Sequence, residues 1–205
     1  MNVLIDKFPT KVNLKGNIYE INTDFRVGLN IMMLYEDDSL NVYEKTEIML
    51  ELLYKNKIPE ELKDIAIEKA MLFLDAGDNK KNEITDNEYN IKPKRVYSFT
   101  QDAKYIYSAI KKSHGVDLEN IKYLHWWKFV YYFLDLDEKS FFSQMIYLRN
   151  QKNKGKLTKE EKVIFASLEE VLELDNSEEY TEEEQERIDK FTSRLEKAEN
   201  GKTCN

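Results

Sequence analysis

The residues of this chain with the widest chemical use are two histidines and one cysteine. His114 and His125 lie on either side of a predicted turn, and Cys204 lies next to the last residue. Zinc sites use recurring spacings such as HExxH or paired CxxC, and neither spacing occurs in the sequence. A single cysteine forms no internal disulfide, and a position beside a frayed terminus does not suit a nucleophile. The sequence therefore predicts no catalytic residue, no metal site and no cofactor.

The remaining candidates for chemistry are a lysine-glycine segment and paired carboxylates. Lys154-Gly155-Lys156 lacks the upstream glycine of a phosphate-binding loop. Glu160-Glu161 and Glu169-Glu170 fall in amphipathic segments, where such pairs usually face water. A glycosidase dyad would need a cleft, and six glycines leave few loops with which to build one. We therefore expect a protein that is not an enzyme.

Composition and charge narrow the class of protein further. Hydrophobic residues make up 41% of the chain and charged residues 34%, which is typical of a soluble globular protein. There is no apolar run long enough to span a bilayer, and residues 1–7 lack the apolar core of a signal peptide. Residues 158–205 carry seven Lys/Arg and fifteen Asp/Glu, so this segment holds the whole net charge of −8. Such an acidic end disfavours nucleic-acid backbones, and we expect neither a nucleic-acid nor a membrane partner.

The elements that must position any site are predicted to be mostly helices. Six glycines and three prolines are too few for the many turns of a sandwich or barrel. The stretch from Tyr123 to Leu134 is apolar almost all round, which indicates a central helix over 121–136. We expect at least one of Trp126 and Trp127 to pack in the core. The other ring could reach the surface, because adjacent helix positions point about 100° apart.

Local signals predict the other elements. Val12 and Leu14 alternate with polar residues before a turn at Lys15-Gly16-Asn17, which indicates an N-terminal β-hairpin. Capping residues, closing glycines and apolar periodicity predict helices over 25–35, 41–56, 59–76, 98–113, 138–150, 158–172 and 181–198. The polar segment 78–95 indicates an exposed loop. The expected fold class is mainly α: a compact domain of about six to seven helices around the Trp-rich helix, with a small N-terminal β-hairpin.

The chain is predicted to divide into a helical core domain with the hairpin, residues 1–157, and an acidic C-terminal helical arm, residues 158–205. The last helix of the arm carries Ile188, Phe191 and Leu195 at the spacing of a coiled-coil seam. This helix is too short to be stable alone, so it must lie on the domain, on another copy or on a partner. Our hypothesis is that these three residues bind a partner or self-associate; packing back on the domain is an equally good interpretation.

Three stretches of the sequence together resemble one family. They are Asn22-Thr23-Asp24-Phe25-Arg26 after Gly16, Asp102–Tyr107 running on to Gly115–Leu118, and Leu124-His125-Trp126-Trp127-Lys128-Phe129 with Tyr147-Leu148-Arg149 downstream. In this order, over about residues 10–150, they look like the gene product fifteen family of siphophages and prophages of Gram-positive bacteria. The block 124–129 is the most specific part, and the block 22–26 supports it.

The resemblance implies a protein of the phage tail module. Such genes lie near those of the major tail protein and the tape-measure protein, and the family is taken to act in tail assembly as a tail assembly chaperone. This implies binding to the tape-measure protein and other tail assembly proteins in the host bacterial cytoplasm, and absence from the mature virion. Two alternatives stay open: a structural virion component, such as a connector or tail-completion protein, and an acidic regulator that binds a host protein. The resemblance implies no catalytic or binding residue.

Overall fold

The computed structural model describes residues 2–78 and 94–175 and confirms the mainly α fold with a small N-terminal hairpin. The elements within these ranges are β1 (Lys11–Leu14), β2 (Asn17–Glu20), α1 (Phe25–Glu36), α2 (Val42–Leu53), a 3-10 turn (Glu60–Leu62), α3 (Lys63–Leu74), α4 (Ala103–His114), α5 (Trp126–Leu134), α6 (Phe141–Asn153), α7 (Lys159–Ser167) and α8 (Glu169–Leu172). Helices α1 to α6 lie in the predicted core domain and α7 and α8 in the predicted arm. The predicted last helix with Ile188, Phe191 and Leu195 lies outside the described residues, as do Cys204 and most of the loop 78–95.

The hairpin forms as predicted, and its turn explains the residues found there. Lys15 and Gly16 both have positive φ angles, 50° and 94°. Such angles match the twist of a two-residue hairpin turn, and glycine adopts them without strain. The side-chain oxygen of Asn13 accepts a hydrogen bond from the Gly16 N–H at 2.7 Å. The hairpin is anchored on the helices because Leu14 is fully buried and β1 packs on α3.

Several helices begin or end where their capping residues predict. Asp24 caps α1 by accepting a hydrogen bond from the Arg26 N–H at 3.0 Å. Asn41 and Glu44 form a reciprocal capping box that opens α2. Each cap satisfies N–H groups that have no partner inside the helix. Gly115 closes α4 in the left-handed conformation, with φ at 66°.

Helix α4 begins later than its predicted capping box. Residues 98–102 form a turn, and regular helix starts at Ala103. The Ser98 hydroxyl oxygen accepts the Gln101 N–H at 3.1 Å, as the capping box predicts. In addition, the carboxylate of Glu36, at the end of α1, accepts hydrogen bonds from the Ser98 hydroxyl and the Phe99 N–H, both at 2.7 Å. These donors are therefore satisfied from another helix, which holds the chain in a turn before α4.

Helix α5 is shorter than the predicted helix 121–136 and spans Trp126–Leu134. The chain before it forms an antiparallel bridge with the residues that precede α1, and His125 has extended backbone angles. Backbone groups engaged in such a bridge are not free for helical hydrogen bonds. Both tryptophans and Phe129 are buried, so α5 keeps its predicted central place.

The predicted helix 158–172 forms as two short helices, α7 and α8, because the chain bends at Leu168. A capping box of Thr158 with Glu161 opens α7 at the predicted start of the helix. Although both side chains are apolar, Val163 and Ile164 are 70% and 46% exposed. Together with α1 to α6, these helices belong to one compact unit over residues 1–174. The division at residue 157 stays a prediction.

The apolar residues of the described part form two clusters. The larger cluster gathers residues of the hairpin and of α1 to α6 around the aromatic rings of α5. A smaller cluster joins α6 to α7 and α8 and consists of Met145, Leu148, Phe165 and Leu172. Within the described ranges no helix is both long and apolar enough to cross a membrane.

Candidate functional site

The two most specific sequence blocks, 22–26 and 124–129, meet at a backbone bridge between the starts of α1 and α5. The Phe25 N–H donates to the Leu124 carbonyl at 2.8 Å, and the Trp126 N–H donates to the Thr23 carbonyl at 2.7 Å. The central residues of this bridge are Asp24 and His125. The same two residues cap the helices that follow, so one short pairing fixes the start of both helices.

His125 is held in one tautomer by its two ring nitrogens. Nδ1 accepts a hydrogen bond from the Trp127 N–H at 3.1 Å, so the proton must lie on Nε2. Nε2 then donates to the Pro9 carbonyl at 3.0 Å. Burial lowers the pKa of His125 below its ordinary value of 6.5, because the charged ring would be poorly solvated. His125 therefore works as a neutral helix cap that also holds the segment before β1.

Both tryptophan rings are buried, which confirms the prediction that at least one packs in the core, and neither ring reaches the surface. The indole N–H of Trp126 donates to the Leu74 carbonyl at 2.9 Å, and that of Trp127 donates to the Phe73 carbonyl at 2.7 Å. These carbonyls lie at the last turn of α3, where carbonyls lose their regular helical partners, and the Phe73 carbonyl also accepts the Ala76 N–H at 3.1 Å. The two side chains thus cap the C-terminal end of α3 while filling the core beside it.

Two glycines make room for these rings. A Cβ atom at Gly28, in the middle of α1, would lie 2.2 Å from Cε3 of Trp126. A Cβ atom at Gly77 would lie 2.8 Å from Cη2 of Trp127, and Gly77 also has a φ of 77°. Real Cβ atoms do not approach ring carbons this closely. Glycine weakens a helix, but Gly28 is the place where α1 and α5 come into contact.

The polar residues of block 22–26 tie α1 to distant parts of the chain. Asn22 Nδ2 donates to the Leu52 carbonyl at 2.8 Å, and the hydroxyls of Thr23 and Tyr123 are 2.7 Å apart. The guanidinium of Arg26 donates to the Ile121 carbonyl at 2.7 Å. Each of these three polar side chains therefore has a hydrogen-bond partner within the chain.

The loop that Arg26 holds belongs to the second family stretch. Within it the Asp117 carboxylate accepts hydrogen bonds from the Tyr107 hydroxyl at 2.8 Å and from Lys111 at 3.1 Å. These donors hold the pKa of Asp117 well below its usual range. The loop between α4 and α5 is thus fixed by α4 on one side and by α1 on the other.

A buried ion pair joins Asp102 of the second family stretch to Arg149 of the third. The guanidinium of Arg149 donates to both carboxylate oxygens of Asp102, at 2.6 and 3.0 Å. It also donates to the carbonyls of Val96, Val171 and Leu172. Both side chains are at most 5% exposed. Arg149 therefore joins α6 to the start of α4, to the segment before it and to α8. Apart from the family stretches themselves, no pattern in the sequence indicated this network.

The polar side chains of the three family stretches form hydrogen bonds within the chain and are not arranged as a reactive site. Among the described residues, every buried side-chain nitrogen and oxygen has a hydrogen-bond partner. The same ranges contain no group of three His, Cys, Asp or Glu placed to hold a metal ion. Of the two blocks 22–26 and 124–129, only Arg26 and Lys128 are exposed. The blocks therefore build the fold, and they leave little side-chain surface for a ligand.

An open groove lies beside the bridge, between α1, α5 and the end of α3. Its volume is about 360 Å³, and Trp126 and Phe129 are among its buried lining residues. Leu134 stands at its edge and is 75% exposed. Two carboxylates, Asp75 and Asp78, also line it. The groove therefore presents aromatic and aliphatic side chains together with two carboxylates.

Comparison with known proteins gives one match. Residues 4–174 match the model of a family described as bacteriophage Gp15 protein. No curated protein and no solved structure matches the chain. The match includes all three stretches on which the resemblance depended, and the structure brings their residues together. The chain belongs to the bacteriophage Gp15 protein family.

Proposed function

We propose that this phage protein acts in tail assembly, as a tail assembly chaperone that binds the tape-measure protein in the host cytoplasm and is absent from the mature virion. The observation that carries the proposal is the family match over residues 4–174. The finer role depends on the tail-module position that the family resemblance implies. We further propose that the protein is not an enzyme and uses no cofactor.

The geometry of the described residues supports binding rather than catalysis. His125 and the Arg149–Asp102 pair are the described residues whose side chains are most suited to catalysis. Both are buried and form hydrogen bonds within the chain. The groove beside α5 is lined mainly by apolar and aromatic side chains. A chaperone needs an exposed apolar surface for its client and charge that keeps the complex in solution. The acidic segment 158–205 supplies such charge.

A structural virion component, such as a connector or tail-completion protein, is the second candidate. It differs from a chaperone in one observable property, its presence in the finished particle. An acidic regulator of a host protein is less well supported. Its charge would need to cover a broad surface, whereas residues 1–157 carry equal numbers of acidic and basic residues.

Quantitative mass spectrometry of purified particles beside the induced lysate tests the proposal. An assembly chaperone is abundant in the lysate and absent from particles, and it co-purifies with the tape-measure protein. A stoichiometric amount in particles would contradict the chaperone role and favour a structural one. The major tail protein, measured in both samples, controls for recovery of the particles.

The role of the acidic arm can be tested separately if the truncation is placed with care. Removing residues 158–205 would also remove the Val171 and Leu172 carbonyls that Arg149 binds, and would expose the cluster around Phe165. Removing residues 176–205 keeps both. If the arm binds the client, the shorter chain folds with an unchanged melting temperature but no longer co-purifies with the tape-measure protein. Retained co-purification would assign client binding to residues 1–175.

A further inference from the structure

Helices α7 and α8 pack on α6 through few buried side chains; we call residues 157–174 the C-terminal strap. Phe165 is the buried residue of α7 and Leu172 that of α8. Helix α6 buries four residues, and α4 and α5 bury three each. Elements held by few buried apolar contacts open at a lower free energy than the rest of a fold. We therefore expect the strap to open while α4, α5 and α6 stay folded.

The face of α6 beneath the strap is apolar. Met145 and Leu148 lie on one side of α6, because residues three apart share a helix face, and they are 1% and 9% exposed. They form a cluster with Phe165 and Leu172, and Tyr105 of α4 packs at its edge. An open strap would expose this strip of side chains to water. A strip of this kind binds the apolar face of an amphipathic helix.

The strap can leave α6 without separating the buried charge of Arg149 from its ion partner. The guanidinium donates to the Leu172 carbonyl at 2.7 Å and to the Val171 carbonyl at 3.0 Å. When these acceptors leave, the guanidinium keeps both carboxylate oxygens of Asp102 and the Val96 carbonyl. Loss of the partner of a buried charge is costly, whereas here the ion pair belongs to both states. The N–H groups that the strap releases can donate to the last carbonyls of another helix.

The other contacts of the strap and its connection to α6 also permit opening. The contacts of Lys152 with Glu173 and of the Tyr147 hydroxyl with Glu161 lie at the surface, where such contacts contribute little. A turn at Gly155, which has a φ of 66°, connects the strap to α6. Glycine has the widest range of backbone angles of any residue, so this turn can act as a hinge.

We propose that the C-terminal strap is autoinhibitory: it covers a helix-binding face of α6 and gives way to an amphipathic helix of another protein. The strap of a second copy would make the same contacts as the chain's own strap, which its tether holds at an effective concentration of about 1 mM or more. A second copy therefore does not displace the strap at lower protein concentrations. A longer helix with more than two apolar anchors does, because it buries more apolar area. The tape-measure protein would supply this helix, and that assignment alone rests on the proposed function.

Native-state hydrogen exchange of the full chain measures the opening of the strap. Protection factors of the α7 and α8 amides should be about a hundredfold or more below those of α4 and α6. Phe165→Ser removes an anchor and should lower the protection of the strap by about tenfold or more. Val163→Ser is the matched control, because Val163 lies on the same helix and is 70% exposed.

A change in the core shows whether the strap opens by itself. Gly28→Ala acts on the contact between α1 and α5, which the closed state and the strap-open state share. It should therefore lower the protection of α4 and α6 and leave that of the strap unchanged. Equal protection of the strap and α6 in the original chain, or an equal loss in both with Gly28→Ala, would overturn the proposal.

A synthetic peptide of residues 157–174 with a fluorescent label is the probe for the uncovered face. In the double variant Phe165→Ser with Leu172→Ser, the chain's own strap no longer competes and the face of α6 is unchanged. The double variant should bind the peptide about tenfold or more tighter than the original chain does, and a peptide with the same two serines should not bind. A double variant that keeps the exchange protection of α4 and α6 but does not bind the peptide would overturn the proposal. If the double variant does not fold, the exchange of the original chain decides.

Co-purification with the tape-measure protein separates this proposal from the proposed function. If both hold, the double variant recovers more tape-measure protein than the original chain or Val163→Ser. Peptide binding without recovery of the tape-measure protein by any chain would contradict the proposed function and leave autoinhibition by the strap intact. Loss of the tape-measure protein from a folded double variant alone would show that the strap itself contacts the client, which overturns autoinhibition.

Discussion

Replacing Gly28 by alanine tests the contact between α1 and α5. The new methyl carbon would lie 2.2 Å from Trp126 Cε3, whereas carbon atoms in contact lie about 3.5 Å apart or more, so the ring must move by about 1.3 Å. The ring is also held by its 2.9 Å hydrogen bond to Leu74, which a shift of this size would break. The structure therefore predicts that Gly28→Ala destabilises the protein, although alanine favours helix.

The magnitude follows from three contributions to the free energy of unfolding. Overpacking costs about 1–3 kcal/mol, and an unsatisfied buried indole N–H costs about 1–3 kcal/mol. Alanine in place of glycine in a helix returns about 1 kcal/mol. The net loss is about 3 kcal/mol, which lowers the melting temperature of a chain of this size by about 6–12 °C.

Urea denaturation followed by tryptophan fluorescence measures this change, because both tryptophans are buried in α5. Asn30→Ala is the matched control on the same helix: Asn30 is exposed, so alanine there should stabilise by a few tenths of a kcal/mol. Combining Gly28→Ala with Trp126→Phe should recover at least about 1 kcal/mol relative to the sum of the single changes. If Gly28→Ala alone is more stable than the original chain, as helix propensity predicts, the proposed contact is refuted.

Three further changes test the internal networks. Asp102→Asn leaves the buried Arg149 charge uncompensated and should cost about 3–5 kcal/mol in urea unfolding; a loss below about 1 kcal/mol would contradict the buried pair. Glu36→Ala removes the acceptor for the turn before α4 and should cost about 1–2 kcal/mol, with early loss of amide-exchange protection at residues 99 and 100. His125 has a lowered pKa in the folded chain, so the unfolded chain binds the extra proton, and stability falls as pH drops below 6.5. His125→Asn keeps a capping oxygen for the Trp127 N–H and should flatten this fall between pH 7.5 and pH 5.5; equal pH slopes would show that His125 does not titrate in this way.

The parts of the fold that could be predicted are those whose cause lies within a few residues. Asn41 with Glu44, Thr158 with Glu161 and the left-handed Gly115 each act on the turn beside them. Such signals are visible in the sequence because both partners stand at a fixed short spacing. The predicted starts of α2 and α7 and the predicted end of α4 therefore lie within one or two residues of the observed ones.

The errors arise where the partner is distant along the chain. The start of α4 is set by Glu36, 62 residues before Ser98. A glutamate at the end of a helix is electrostatically unfavourable there, which is a signal that its carboxylate serves another segment. The start of α5 is set by pairing with residues 23–25, and no spacing rule reaches so far. Both tryptophans likewise find their acceptors more than fifty residues away, in α3.

Contacts between distant parts of the chain also affect how a partner-binding surface can be located by mutation. The side chains of blocks 22–26 and 124–129 are mostly buried in contacts with other parts of the chain, so their substitution acts first on folding. If the protein acts in tail assembly as proposed, a loss of assembly in a Trp126 variant would not identify a binding surface, because an unfolded chain also binds nothing. The groove edge at Leu134 can be changed with little effect on the core, since that side chain is 75% exposed. Assembly defects locate the partner site only in variants whose melting temperature is unchanged, and an exposed side chain such as that of Leu134 allows such a variant to be made.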